Sequence, residues 1–203
     1  YERSGKDRTR PILFAGSLDA PVCFFGRDLG KDEVKHGQPL IGAGGSLIRR
    51  SILRAFEPET NVEGKSAPLE NALKHALLTN TVPYKPSGNK AYPESVKQRL
   101  RPFILELLTR FWTGSYIIPL GTEAFHWFTP YLDADEFQSR GQTDERFETT
   151  FLARLPASGS TGTKPVFVMP VPHPSPLNRR WLPRIPDLLA ARFAEIRNGE
   201  KPS

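Results

Sequence analysis

The sequence predicts an α/β fold in three layers, α/β/α, with a central, mostly parallel four-stranded sheet, and three observations carry that expectation. Apolar runs at residues 22–25, 76–79, 116–120 and 166–171 have strand length and end at turns bearing Gly, Asn or Pro. Helix-like segments alternate with them, as parallel strands require. The ends of the runs carry Asp28, Asn80, Gly121 and His173, and open α/β sheets place their sites at strand ends of this kind.

Taken in order, residues 1–10 are polar and basic, and the first strand ends at Gly26. Residues 31–38 are charged and expected to be loop. Ser46 is expected to cap a helix with Ile48, Ile52, Ala55 and Phe56 on one face, followed by a polar stretch at 57–71. Pro83 and Pro86 keep residues 81–89 out of regular helix. Pro93 then opens the strongest helical pattern, with Val96, Leu100, Phe103, Ile104, Leu107, Leu108 and Phe111 at spacings of three and four as a core-facing stripe, and Gly114 as its stop. Residues 133–144 are acidic and loop-like, 146–155 alternate as an edge strand, and 158–162 form a flexible turn, so 133–162 is a candidate insertion. A last helix carries Leu188, Leu189, Phe193 and Ile196. There are no internal repeats, and residues 1–203 are expected to form a single domain.

Composition narrows the function classes. A chain of 203 residues, 38% hydrophobic, can bury one good core. Its net charge of +6 and pI near 9.6 favour a polyanionic partner such as nucleic acid. The one cysteine, Cys23, excludes a disulfide framework, a structural zinc site or an iron–sulfur cluster built within one chain. No apolar run reaches membrane-span length and no signal-peptide pattern is present, so a cytoplasmic protein working on nucleoid DNA, with no membrane association, is expected.

Four ordered segments resemble the uracil-DNA glycosylase superfamily, from residue 22 to about residue 197. Gly26-Arg27-Asp28-Leu29-Gly30 resembles the first catalytic motif in its Gly-x-Asp form. Gly37-Gln38-Pro39-Leu40-Ile41-Gly42 is similar to the uracil-pocket segment of members that hold an iron–sulfur cluster. Leu78-Thr79-Asn80 resembles the strand whose asparagine reads uracil, and His173-Pro174-Ser175-Pro176-Leu177-Asn178 is nearly the second motif. The resemblance implies catalytic roles for Asp28 and His173 and uracil binding by Gly26, Arg27, Leu40 and Asn80. It also implies DNA contacts from Ser175, Pro176, Leu177, Arg179 and Arg180; apart from the resemblance, Lys85, Asn89 and Lys90 either touch DNA or belong to a solvated loop.

The chemistry matches these residue types. Cleavage between uracil N1 and deoxyribose C1′ leaves positive charge on the sugar and negative charge on the base, and a site must stabilise both. A carboxylate at Asp28 suits the sugar cation and the attacking water; a neutral imidazole at His173 suits uracil O2. The Asn80 amide can donate to O4 and accept from N3–H, a pattern cytosine reverses. A duplex must give up its base to such a pocket, with Leu177 as an apolar wedge in the vacated stack.

The sequence also departs from the resemblance. Leu40 stands where relatives have a phenylalanine stacked on uracil, so either another aromatic such as Phe25 takes part in the pocket or base binding is weaker than in relatives. Gly30 stands where a tyrosine blocks the thymine methyl, so the pocket is expected to be open there. With one cysteine, packing around residues 71–86 and Trp112 must replace the cluster. The loop after Asn80 lacks the basic, His-containing insertion of members that attach covalently to DNA, and no motif lysine is placed for a Schiff base. A monomeric, monofunctional uracil-DNA glycosylase without cofactor or metal is therefore expected. The alternatives are a mismatch- or damage-directed glycosylase acting on thymine, hypoxanthine or xanthine, a non-catalytic binder of uracil or abasic sites, and an unrelated phosphate-binding protein using Gly42 to Gly45.

Overall fold

The computed structural model describes residues 10–64, 66–88, 90–157, 159 and 161–199. The described residues hold strands β1 (Phe14–Gly16), β2 (Val22–Gly26), β3 (Ala76–Asn80), β4 (Tyr116–Pro119), β5 (Phe151–Pro156) and β6 (Thr163–Val168). These make one sheet in the order β1-β3-β2-β4-β6-β5. The four predicted strands β3, β2, β4 and β6 are its parallel centre. Two antiparallel edge strands raise the total to six, β1 against β3 and β5 against β6.

Alternation along β2 shows why the sheet needs cover on both faces. Val22 and Phe24 enter one core, Cys23 and Phe25 the other, and all four are fully buried. Helices α2 (Ala43–Phe56) and α6 (Ile185–Asn198) close the first core, where Ile48, Ile52 and Leu53 meet Leu189, Phe193 and Ile196. Helices α3 (Glu94–Glu106) and α4 (Thr122–His126) close the second, where Ile104, Phe125 and Phe128 pack with Phe151 and Leu155 of β5. Three layers result, as predicted.

Several local expectations change. Residues 31–38 contain a helix, α1 (Lys31–His36), with Asp32 and Glu33 in its first turn, Lys35 and His36 in its last, and Gly37 closing it at φ +68°. Charges in that order suit the helix dipole, but no residue of α1 is buried, so no apolar stripe announces it. Helix α2 begins three residues before Ser46, at Ala43, with Gly42 rather than Ser46 at the cap; the Ser46 amide donates to the Gly42 carbonyl at 2.8 Å.

The stripe on α3 is narrower than its spacing predicts. Ile104, Leu107 and Leu108 face inward, whereas Phe103 and Phe111 are 62% and 51% exposed. After Glu106 the chain widens into a π-helical turn, Leu107–Phe111, and leaves the helix at Trp112. Gly114 is a point of close approach rather than a left-handed cap: a β-carbon there would lie 2.4 Å from the Ala20 carbonyl oxygen. The same carbonyl accepts the Trp112 indole N–H at 2.8 Å.

Residues 133–147 are a series of helical turns rather than a loop, α5 (Ala134–Glu136) among them. The edge strand that follows begins at Phe151, later than the alternation suggested. Buried Arg192 of α6 anchors the segment by donating to the carbonyls of Phe147 and Thr149 at 2.9 and 2.8 Å. Ser158 and Ser160 of the predicted turn lie outside the described residues.

Candidate active site

Parallel register brings the ends of β2, β3, β4 and β6 to one edge of the sheet. Gly26 pairs with Asn80 there, and the chain after β6 bridges from Val171 to Leu120 before reaching His173. The glycines make these approaches possible. A β-carbon on Gly26 would lie 2.1 Å from Asn80 Oδ1, so only glycine lets the amide fold across the strand end. Gly121, at φ +90°, leaves 2.9 Å between its absent β-carbon and the Cβ of His173.

A concavity of about 220 Å³ opens at this edge. Gly26, Arg27, Asp28, Leu40, Asn80, His173, Ser175 and Pro176 all line it, so eight predicted site residues from four separate segments meet in one place. Asn80 is 3% exposed and its Nδ2 is buried with no hydrogen-bond partner. A buried amide donor left unfilled is costly, and its position in the pocket wall makes it a group that waits for a ligand acceptor.

Asp28 is held by its neighbour. Arg27 Nε donates to Asp28 Oδ2 at 3.0 Å and Nη2 to Oδ1 at 3.3 Å. Burial pushes the Asp28 carboxyl above the ordinary aspartate range, while the Arg27 hydrogen bond and charge, then Lys97 and His173, pull it back. His173 stands open at the pocket mouth, but the surrounding walls desolvate its ring. That desolvation first, and the Arg27 charge second, lower its pKa, with Asp28 opposing, which favours the neutral imidazole.

The loop after His173 is internally braced. The His173 carbonyl accepts from the Ser175 amide at 2.9 Å and from Asn178 Nδ2 at 3.0 Å, and Ser175 Oγ accepts from the Leu177 amide at 3.2 Å. The bracing leaves Leu177 91% exposed at the tip, where an apolar side chain covers nothing of its own protein. Helix α2 supports the loop from behind: a β-carbon on Gly44 would lie 2.5 Å from the Pro174 carbonyl oxygen.

Other expectations are corrected. Phe25 does not reach the pocket; it is fully buried on the opposite side, with ring centroids 5.1 Å from Trp127 and 4.9 Å from Phe128. No Phe, Tyr or Trp is among the described residues lining the pocket. Arg179 and Arg180 are both exposed, and Arg180 also pairs with Asp144 at 2.6 Å and lies over the Trp181 ring, which packs on Phe147. Segment 133–147 therefore touches this loop through the exposed Arg180–Asp144 pair. Lys85 Nζ donates to the carbonyls of Pro86 and Gly88 in its own loop. Asn89 lies outside the described residues.

Glu33 was missed. Its Oε2 lies 2.4 Å from where a Gly30 β-carbon would be, so the space expected to be open beside Gly30 holds a carboxylate, and Glu33 also lines the pocket. The i, i+3 relation of these residues becomes a contact only once α1 is helical.

An iron–sulfur cluster does not fit this chain. Its one cysteine, Cys23, is fully buried within β2, and burial raises its thiol pKa far above the ordinary range. Residues 14–197 match the model of the uracil DNA glycosylase superfamily. The chain belongs to the uracil DNA glycosylase superfamily, and so to the DNA glycosylases, whose substrate is DNA.

Proposed function

We propose that the protein is a monofunctional uracil-DNA glycosylase that flips uracil from DNA, hydrolyses its N-glycosidic bond and leaves an abasic site. The observation that carries this reading is the buried, unpartnered Asn80 amide in the same pocket as Asp28 and His173. Uracil O4 fills the Nδ2 donor, and N3–H donates to Oδ1. Cytosine offers an amino group and a bare N3, which would leave both partners unmatched in a dry site.

As the N1–C1′ bond breaks, its electron pair moves onto the base, and neutral His173 stabilises the resulting anion by donating to O2. Asp28, ionised, faces the cationic sugar and takes the proton of the attacking water as its oxygen bonds to C1′. No lysine attacks C1′, so the strand stays intact. Glu33 supports preference for uracil over thymine, because its carboxylate occupies the space beside Gly30 that a 5-methyl group would need. Leu177, exposed at the loop tip, is the wedge that fills the vacated stack, and the protein acts as a monomer.

Base release from labelled oligonucleotides tests this. Substrates carrying U opposite A, U opposite G, T opposite G, and single-stranded U are run beside Asp28→Asn, with and without alkali. Alkali-dependent cleavage at U, lost in the variant, is expected. Cleavage without alkali would remove the monofunctional reading. Binding to uracil or abasic DNA without release would make the protein a sensor.

A further inference from the structure

The loop that carries Leu40 into the pocket holds a conformation its own sequence disfavours. Leu40 has φ +53°, the one non-glycine residue with positive φ among those described. Left-handed backbone crowds a β-carbon against the carbonyl, and leucine rarely adopts it. Two residues of α2 hold it there. Gly45 packs so closely that a β-carbon on it would lie 2.0 Å from the Leu40 carbonyl oxygen.

Arg49, one turn further on and 1% exposed, supplies the rest. Its Nε donates to the Leu40 carbonyl at 3.1 Å, and its Nη2 donates to Gln38 Oε1 at 3.0 Å and to the Pro39 carbonyl at 3.4 Å. Its Nη1 pairs with Glu70 Oε1 at 2.9 Å. One rigid fork thus gathers three consecutive loop residues. Apolar packing fills buried space at lower desolvation cost than a guanidinium, so what the arginine adds is geometry.

We propose that Arg49 is a positioning residue for the base pocket, fixing the left-handed turn at Leu40 and with it the wall against which the flipped base lies. The inference rests on the base-excision reading, since it names what holds one wall of that pocket. Leucine has no aromatic face to capture a base that arrives slightly displaced, so the wall must be stiff. A misplacement of about 1 Å costs on the order of 10²-fold in rate.

The test measures single-turnover uracil release, and separately affinity for DNA carrying an abasic-site analogue, which makes no base contact. Arg49→Met is expected to slow release about 10- to 100-fold while abasic-site affinity stays within about twofold. Arg49→Lys, which keeps the charge but not the fork, is expected to recover only part of the loss. Gln38→Ala, at a partly exposed position that does not threaten the core, is expected to lose several-fold in the same direction. The decisive background is Leu40→Gly, because glycine adopts positive φ freely. There Arg49→Met is expected to cost much less than it does beside Leu40.

Equal loss in both backgrounds, or equal loss of release and of abasic-site affinity, would overturn the proposal. Hydrogen exchange at the amides of residues 40–42 reads the same coupling without activity. At least tenfold faster exchange in Arg49→Met is expected, and unchanged exchange would overturn it. Wild-type protein that released no uracil but showed this exchange response would sink the base-excision reading alone.

Discussion

Two concavities among the described residues differ in kind, and the larger of the two is not the one that gathers the candidate catalytic side chains. A cavity of about 440 Å³ between β1 and α3 is lined by Leu13, Phe14, Leu18, Leu100, Phe103 and Phe111, and is almost wholly apolar. The pocket at the sheet edge, about half that size, holds Asp28, Glu33, Asn80 and His173. Among the described residues, four of the five exposed large hydrophobic side chains line the apolar cavity, and the fifth is Leu177. Volume and hydrophobicity mark a surface that can bind; convergent polar groups with displaced pKa values and an unfilled buried donor mark one that can react.

The sharpest way to break the comparison is to change one residue in each concavity. Asp28→Asn is expected to slow uracil release about 10³-fold, the scale of a lost general base next to a developing cation. Phe103→Ser, at an exposed position, is expected to leave release unchanged and stability within about 0.5 kcal/mol. A large loss of release in Phe103→Ser would tie the apolar cavity to the reaction.

The pH profile adds detail. The proposed role needs Asp28 ionised, and burial raises its pKa, so the rate should fall with decreasing pH through a value above the ordinary 3.8. Arg27→Gln removes the group that opposes this shift and should move that limb to higher pH. The proposed role needs His173 in its neutral form, and its lowered pKa extends that form below the ordinary 6.5. A rate that fell as pH rose through that region would identify the imidazolium as the donor instead.

Next in size is base choice. Asn80→Asp replaces the Nδ2 donor with a second acceptor that suits the cytosine amino group. The ratio of uracil to cytosine release should fall by about 10²-fold or more. Paired single-turnover assays on U- and C-containing strands measure it, and an unchanged ratio would remove Asn80 from the recognition scheme.

The two regions also differ in how much of them could be read from the sequence. Strands β2 and β3 were legible because each is an unbroken buried run, and the motif residues at their ends then fell into one pocket through parallel register. Strand β1 was not legible, since three residues carry no period; it exists because Leu77, Leu78 and Thr79 offer it a partner. Phe103 and Phe111 had the spacing of core residues, but spacing cannot show where a helical stripe stops being covered. Within the pocket, Glu33 depended on a helix without a buried face, and the backbone of Leu40 on an arginine nine residues away. Leucine gives no local signal for left-handed backbone, so that feature belongs to tertiary structure alone.

Leu177 tests the comparison at its smallest expected effect, because it shares exposure with the apolar cavity and position with the active site. At 91% exposed it contributes nothing to the core, so Leu177→Ala should leave unfolding within about 0.5 kcal/mol of wild type. As a wedge, it acts only when a base must leave a stacked duplex. The substitution should therefore slow release from U opposite A about tenfold while leaving single-stranded U nearly unaffected. Equal slowing on both substrates would mean that Leu177 holds the loop rather than the DNA. In that case the hydrogen bonds that the Ser175 amide and Asn178 Nδ2 donate to the His173 carbonyl would not be sufficient to keep His173 in place.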